Sequence, residues 1–310
     1  MDCGKCERKA VIQLQHGALC KMHFINYFEE KVFSTFKKYR LLKRDDKICV
    51  ATSGGKDSLT VLYLTKRYLV KENLDPQQLF ALVVDEGIEN YRERTIEDLE
   101  KFCKEHDVEL HKVSFLEELG ATLDKAYPKI NKDANKKPCN VCGVWRRYLL
   151  NREARKQGAT KLVTGHNLDD EAQAIMMNIF KANTKIAGRL GPITGTREHG
   201  SFVQRVKPLY FCTEKEVRLY TILKGFKVHY SECPYSNEGY RFKIQDMLNE
   251  MENNYPGTKQ GIIKSFLALL PKLKEEGESL EEPMQTCKEC GEPANRDICN
   301  ACKMKVIISA

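Results

Sequence analysis

Thirteen of the 310 residues are cysteine, and most of them fall at spacings that could hold a metal. Cys3-x-x-Cys6 is followed by Cys20-x-x-His23, and near the other end Cys287-x-x-Cys290 is followed by Cys299-x-x-Cys302. A two-residue spacer lets a tight turn aim both ligands at one ion, and two such knuckles complete the tetrahedron that Zn²⁺ takes in structural sites. Gly291 stands where the second set must bend sharply. Two structural zinc sites are expected, one near each end; the alternative is a set of unliganded surface thiols, which oxidise readily.

A third set, Cys139-Asn140-Val141-Cys142, has no second knuckle beside it, and Cys233, in Glu232-Cys233-Pro234-Tyr235, is the later cysteine in a turn-like setting. Three thiolates there could hold a [4Fe-4S] cluster with one iron open, bind a zinc, or carry out persulfide and disulfide chemistry without metal. Spacing alone does not choose between these. Cys49, on an expected strand, Cys103, on the apolar face of an expected helix, and Cys212, in an apolar run, read as packing cysteines.

Phosphate chemistry is indicated elsewhere. Lys47 to Thr52 reads as a buried strand running into Ser53-Gly54-Gly55-Lys56-Asp57-Ser58, after which an apolar helix continues past Lys66 and Arg67. Adjacent glycines let backbone amides turn toward one point, and the helix start adds its positive end and the Ser58 hydroxyl. The spacing departs from the Walker pattern and resembles the Ser-Gly-Gly-x-Asp-Ser signature of the PP-loop ATP pyrophosphatases. A plain helix cap at Asp57 or Ser58 is the competing reading.

The elements that must position these residues follow in βαβ rhythm. Strands are expected at 79–85, 108–114 and 161–164, with helices at 92–106 and 144–157. That order predicts an α/β fold, a parallel sheet with helices on both faces, whose ligands lie beyond the carboxyl ends of the strands. Asp85 ends one strand, and Gly165-His166-Asn167-Leu168-Asp169-Asp170-Glu171 follows another. Acids opening a helix can be caps; at the sheet edge that carries Ser53 they are also placed to hold Mg²⁺ or position ATP.

These motifs in this order resemble the tRNA 2-thiouridine synthetases, in the branch containing the archaeal and eukaryotic cytoplasmic wobble-uridine thiolases and the thermophile T-loop enzyme. The resemblance spans nearly the whole chain. It implies the PP-loop (adenine nucleotide alpha hydrolase-like) fold flanked by N- and C-terminal zinc fingers, with ATP and Mg at Ser53, Gly54, Gly55, Asp57, Ser58, Asp85, Gly165 and Asp170. It implies a [4Fe-4S] cluster on Cys139, Cys142 and Cys233, with catalytic roles for Asp57, Asp170 and Arg146. Some relatives have Lys where this chain has Arg146 or Arg147; an arginine cannot serve as a base, so electrostatic work on phosphate is expected of Arg146. The implied reaction is adenylation of a tRNA uridine at C2 followed by sulfur transfer from the cluster, giving 2-thiouridine, with the wobble uridine favoured and the T-loop uridine the other target. The implied partners are tRNA and a sulfur donor, either sulfide or a ubiquitin-like thiocarboxylate carrier protein, with a homodimer as the assembly.

The composition agrees with an RNA partner. There are 51 Lys and Arg against 43 Asp and Glu, a net charge of +8. Nine of the basic residues lie between Pro128 and Lys156 against Asp133 and Glu153, a local +7 beside the third cysteine set. Lys37, Lys38, Arg40, Lys43 and Arg44 form a second basic patch. No apolar run reaches the roughly 20 residues of a membrane span, and an opening of Met1-Asp2-Cys3 lacks the apolar core of a signal peptide. A cytoplasmic protein without a membrane partner is expected, with a finger at 1–25, a catalytic domain at 26–272, an acidic linker at 273–286 and a second finger at 287–310. Two rival functions fit less of the sequence. Another PP-loop tRNA-modifying ligase or amidase would leave the third cysteine set without a task, and a non-enzymatic RNA-binding zinc protein would leave the Ser53 loop unexplained.

Overall fold

The computed structural model describes residues 1–195, 202–229, 233–235, 240–279 and 285–309. Glu232 and residues 280–284 of the expected linker lie outside the described residues. The chain opens with an antiparallel hairpin of β1 (Ile12–Leu14) and β2 (Gly17–Leu19), and Cys20 leads straight into α1 (Lys21–Tyr39). Phe24, Phe28, Val32 and Phe36 recur at helical spacing on α1 and enter the main core together with Ile12 and Leu19 of the hairpin. The seam expected at residue 25 therefore falls inside a helix.

The central run is β3 (Ile48–Thr52), α2 (Lys56–Lys71), β4 (Leu79–Asp85), α3 (Arg92–Glu105), β5 (Glu109–Ser114), α4 (Phe115–Leu119), α5 (Leu123–Ala134), α6 (Pro138–Lys156) and β6 (Lys161–Val163). Then come α7 (Leu168–Phe180), α8 (Thr184–Ala187), β7 (Ile193–Thr194), β8 (Gln204–Val206), α9 (Glu214–Lys224), α10 (Tyr240–Asn254) and α11 (Thr258–Ser279). The chain ends in β9 (Gln285–Thr286), β10 (Pro293–Ala294) and α12 (Asn300–Ser309). Strands at 48–52, 79–85, 109–114 and 161–163 match the expected alternation. The expected linker start at residue 273 lies within α11, so this boundary too is continuous helix.

The main sheet has the order β5-β4-β3-β6-β8-β7, parallel except for β7. Its faces separate by the two-residue period of a strand. Ile48, Val50, Ala81, Val83 and Val163 join α1, α2 and α9 in one core, whereas Cys49, Phe80, Leu82, Val84 and Leu162 join α4, α5, α6 and α12 in another. Burial on both faces is what a parallel sheet requires. From β3 the chain winds outward through β4 and β5 and then returns to place β6 on the other side of β3. The split between β3 and β6 is the switch point where such sheets bind ligands.

Helix α6 starts at Pro138, earlier than the expected Val144. Pro138 supplies the fixed φ that suits a first helical position, where its missing N–H costs nothing. Cys139 and Cys142 consequently sit on the first turns of α6 rather than in a loop before it. Trp145, fully buried, meets Phe115 edge to face at 5.3 Å and donates to the Ala301 carbonyl of α12 at 3.3 Å. The C-terminal finger is thus clamped onto the helix that carries the third cysteine set. Among the described residues no helix is long and apolar enough to cross a membrane. Trp145→Ala should lower the unfolding free energy by about 3–5 kcal/mol in chemical denaturation followed by circular dichroism, and a loss below about 1 kcal/mol would contradict this packing role.

Candidate active site at the sheet switch point

The Ser53 to Ser58 loop closes on itself before α2 begins. Ser58 Oγ donates to the Gly55 carbonyl at 2.9 Å and accepts from the Ser53 amide at 3.1 Å. Gly54 has φ +75, and a side chain there would meet the Thr95 carbonyl at 2.6 Å, so conformation and space both require glycine. Gly55 is the cap of α2 and offers no side-chain acceptor, so neither Asp57 nor Ser58 closes the helix start. The first amides of a sixteen-residue helix are left to an anion. The simple capping reading of this loop does not hold.

The loop after β6 packs directly on this turn. A side chain at Gly165 would lie 2.9 Å from the backbone C and O of Asp57. Asn167 donates from Nδ2 to Asp57 Oδ1 at 3.0 Å, and Lys56 donates to Asp57 Oδ2 at 2.9 Å. Asn167 and Asp170 form a capping box at the start of α7, and Arg241 donates to Asp170 Oδ1 at 2.6 Å. Burial holds both carboxyls above their ordinary range, against the opposing pull of Lys56 on Asp57 and of Arg241 on Asp170. The charge of Asp170 raises Asp57 further. Hard oxygen donors converging at a phosphate loop suit Mg²⁺, and an entering ion must replace Lys56 or Arg241 as a carboxylate partner. Asp169 has a different task, tying α9 and α11 to this edge through the Glu214 amide and Lys259.

Asp85 closes its own turn, its Oδ1 accepting from the Gly87 amide at 2.8 Å. The neighbouring Glu86 is the acid that reaches inward, and it is completely buried. Arg92 grips it in a two-pronged ion pair and also donates to the Ser53 carbonyl at 2.7 Å. Arg146 Nη2 lies 2.6 Å from Glu86 Oε1 and 3.2 Å from Cys142 Sγ. Desolvation pushes the Glu86 carboxyl up, but Arg146 and then Arg92 hold it below the usual carboxylate range. Arg146 therefore stands between Glu86 and a cysteine of the third set, not against the loop amides. Glu86, Arg92, Lys56, Asn167 and Arg241 received no role from sequence, although Lys56 and Asn167 stand inside the motifs and Glu86 directly follows Asp85.

Cys139 is exposed, Cys142 buried and Cys233 half-buried. Cys139 Sγ lies 3.2 Å from the Tyr235 carbonyl, and Cys233 and Tyr235 pack against the core that contains Cys142, so the segment 233–235 folds over the start of α6. The three thiols do not draw within the span of one ion's ligands, as the two finger sets do. A cubane holds its thiolates at separate corners, so the wider arrangement fits a cluster better than a single zinc. Burial pushes the Cys142 thiol up to about 11, with Arg146 pulling it back.

Both finger sets bring their four ligand atoms within 4.8 Å of one another. Cys6 and Cys20 lie 3.7 Å apart and Cys290 and Cys299 3.8 Å, close to the sulfur separation of about 3.8 Å that Zn–S bonds of about 2.3 Å give in a tetrahedron. Cys3 Sγ reaches His23 Nδ1 at 3.3 Å. The Cys299 amide donates to Cys287 Sγ at 3.2 Å, the backbone support expected of a knuckle turn.

Part of the +7 stretch is neutralised in the fold by acids from outside it. Arg152 pairs with Glu118 and Glu153, Arg155 with the buried Glu292 of the second finger, and Arg146 with Glu86. Lys132 remains exposed, and the basic surface is smaller than the charge count implied. In the second patch Lys37 pairs with Glu72 and Lys38 lies over the Tyr39 and Phe211 rings. Overpacking by one methyl at a backbone contact costs about 1–3 kcal/mol, so Gly165→Ala should weaken pyrophosphate binding about tenfold in calorimetry; unchanged affinity would contradict the contact's role.

A sequence-family model described as a PP-loop domain matches residues 26–250. The chain is 36% identical to a tRNA-5-methyluridine(54) 2-sulfurtransferase of Pyrococcus horikoshii, over 98% of this chain and 93% of that one. It is 35% identical to the tRNA 2-thiolation protein NcsA of Haloferax volcanii over the full length of both. It also superposes on the U34-tRNA thiolase NcsA of Methanococcus maripaludis, solved with its [4Fe-4S] cluster, with a TM-score of 0.81 at 35% identity, covering 98% of this chain and 95% of that one. Full-length similarity of this degree, on a fold whose phosphate loop and third cysteine set share one end of the sheet, makes the chain a member of the PP-loop tRNA 2-thiolation family.

Proposed function

We propose that this protein thiolates C2 of a tRNA uridine at the expense of ATP, releasing AMP and pyrophosphate. The observation that carries the reading is the meeting of the Ser53 loop with Cys139, Cys142 and Cys233 at one sheet edge, joined by Arg92, Glu86 and Arg146. An activating site and a sulfur site so joined suit a reaction in two parts. The uridine C2 oxygen is a poor leaving group until adenylation converts it to AMP, and the loop amides and α2 start stabilise the departing pyrophosphate.

Ser53, Gly54, Gly55, Asp57, Ser58, Gly165 and Asp170 hold the nucleotide in this reading, with Mg²⁺ at the Asp57 and Asp170 carboxylates and Asp85 shaping the rim. Cys139, Cys142 and Cys233 hold a [4Fe-4S] cluster, which supplies an iron position without a protein ligand for sulfur. The Cys3 and Cys287 sets hold structural zinc; the second of these keeps α12 on Trp145 and so supports the first turns of α6. The sections 1–25, 26–272, 273–286 and 287–310 divide by task, since helices bridge two of their seams. Sulfur arrives as sulfide or on a ubiquitin-like thiocarboxylate protein, the working unit is a homodimer, and the compartment is the cytoplasm.

The target is taken as the wobble uridine, in line with the superposition on an enzyme titled for U34. Similarity to an enzyme named for position 54 keeps the T-loop uridine as the second reading. Nucleoside mass spectrometry of position-mapped tRNA from a strain lacking the gene should show 2-thiouridine missing at the wobble position; its loss in the T-loop alone would select the second reading. Anaerobically purified protein should carry about four Fe and two Zn per chain. Cys233→Ala should abolish thiolation with ATP affinity unchanged, and full thiolation by that variant or by iron-free protein would overturn the cluster assignment.

A further inference from the structure

Glu86 and Arg92 touch neither the loop amides nor the exposed thiols, yet they fill the space between the two sites. Glu86 has no exposed surface and Arg92 is 5% exposed. Burying Glu86 and Arg92 is costly unless each is paired, and here every link is made. Arg92 holds the Ser53 carbonyl and Glu86, Glu86 holds Arg92 and Arg146, and Arg146 holds Cys142 Sγ. The Arg146 Nε is buried without a hydrogen-bond partner among the described residues, so that guanidinium has a donor still to give beside the thiol.

We propose that Glu86 is a positioning residue through which nucleotide in the Ser53 loop alters the state of Cys142. The inference rests on the nucleotide reading given above. Its physical basis lies in one peptide unit. The Ser53–Gly54 peptide bond is not cis, so in this planar unit the carbonyl and the Gly54 N–H point in opposite directions. Arg92 holds the carbonyl outward and thereby aims the Gly54 N–H into the loop. An anion accepting from that N–H polarises the same unit and strengthens the Arg92 contact, and charge-assisted bonds in series strengthen one another. A firmer Arg92–Glu86 pair redistributes Glu86 between its two guanidinium partners, and Arg146 shifts against Cys142. Without the Glu86 charge the two guanidinium groups repel and the series is broken.

The full-length, zinc-loaded chain freed of iron tests this through the rate at which iodoacetamide alkylates Cys142, read by peptide mass spectrometry with and without saturating Mg²⁺ and a non-hydrolysable ATP analogue. Coupling between sites of this kind amounts to about fivefold or more. The wild-type rate at Cys142 should change by about fivefold on nucleotide addition, with Cys49 and Cys103 unaffected. Glu86→Gln should remove the dependence while calorimetry still detects nucleotide binding. Arg92→Lys, which keeps a charge but loses the planar fork that grips Glu86 while reaching the Ser53 carbonyl, should do the same and decides the matter if Glu86→Gln fails to fold. Binding without any change in the wild-type rate, or the full dependence surviving in the folded variants, overturns the inference. Absence of nucleotide binding overturns the functional reading with it, whereas absence of iron in anaerobic protein removes the cluster and leaves the alkylation result standing.

Discussion

Two stretches of backbone pass each other at the gap between β3 and β6, and only because residue 165 is glycine can they come so close. That contact sets the depth of the site. It lets Asn167 reach Asp57, brings the α7 capping box beside the α2 start, and leaves the amides of α2 without a side chain of their own. The parallel sheet makes this possible, since its strands deliver every following loop to the same edge. Burial of the sheet on both faces then holds that edge rigid.

Charge burial organises the other half. A fully buried carboxylate is tolerable only between partners, and Glu86 obtains two from different helices. Arg92 comes from α3 and Arg146 from α6, so satisfying one carboxylate fixes the helix that borders the nucleotide loop relative to the helix that presents Cys142. The second finger acts on the same helix from outside. Glu292 accepts from Asn151 at 3.3 Å and pairs with Arg155, while Ala301 and Met304 cover Trp145. A four-cysteine set near the end of the sequence thereby supports the middle of the fold.

Features carried by short spacing were legible in the sequence. The finger ligands, the Ser53 loop and the alternating strands depend on residues within a few positions of each other, and the geometry follows from local rules. Features carried by distant partners were not. Glu86, Arg92 and Arg146 meet only after three separate elements pack, and nothing in a local window distinguishes Glu86 from Asp85. The same limit explains the basic stretch, where Arg152 and Arg155 read as RNA contacts until Glu118 and Glu292 arrive from elsewhere in the chain. Helix α6 begins at Pro138 rather than at the expected Val144, since a proline at the first helical position begins a helix.

The account stands on activation and sulfur delivery being parts of one reaction at one sheet edge. Counting AMP against 2-thiouridine in a single anaerobic incubation of iron-loaded protein, tRNA, ATP and sulfide tests that claim most directly. The account predicts one AMP for each 2-thiouridine, with no AMP above background when tRNA is omitted. Thiolated tRNA formed without AMP would contradict it.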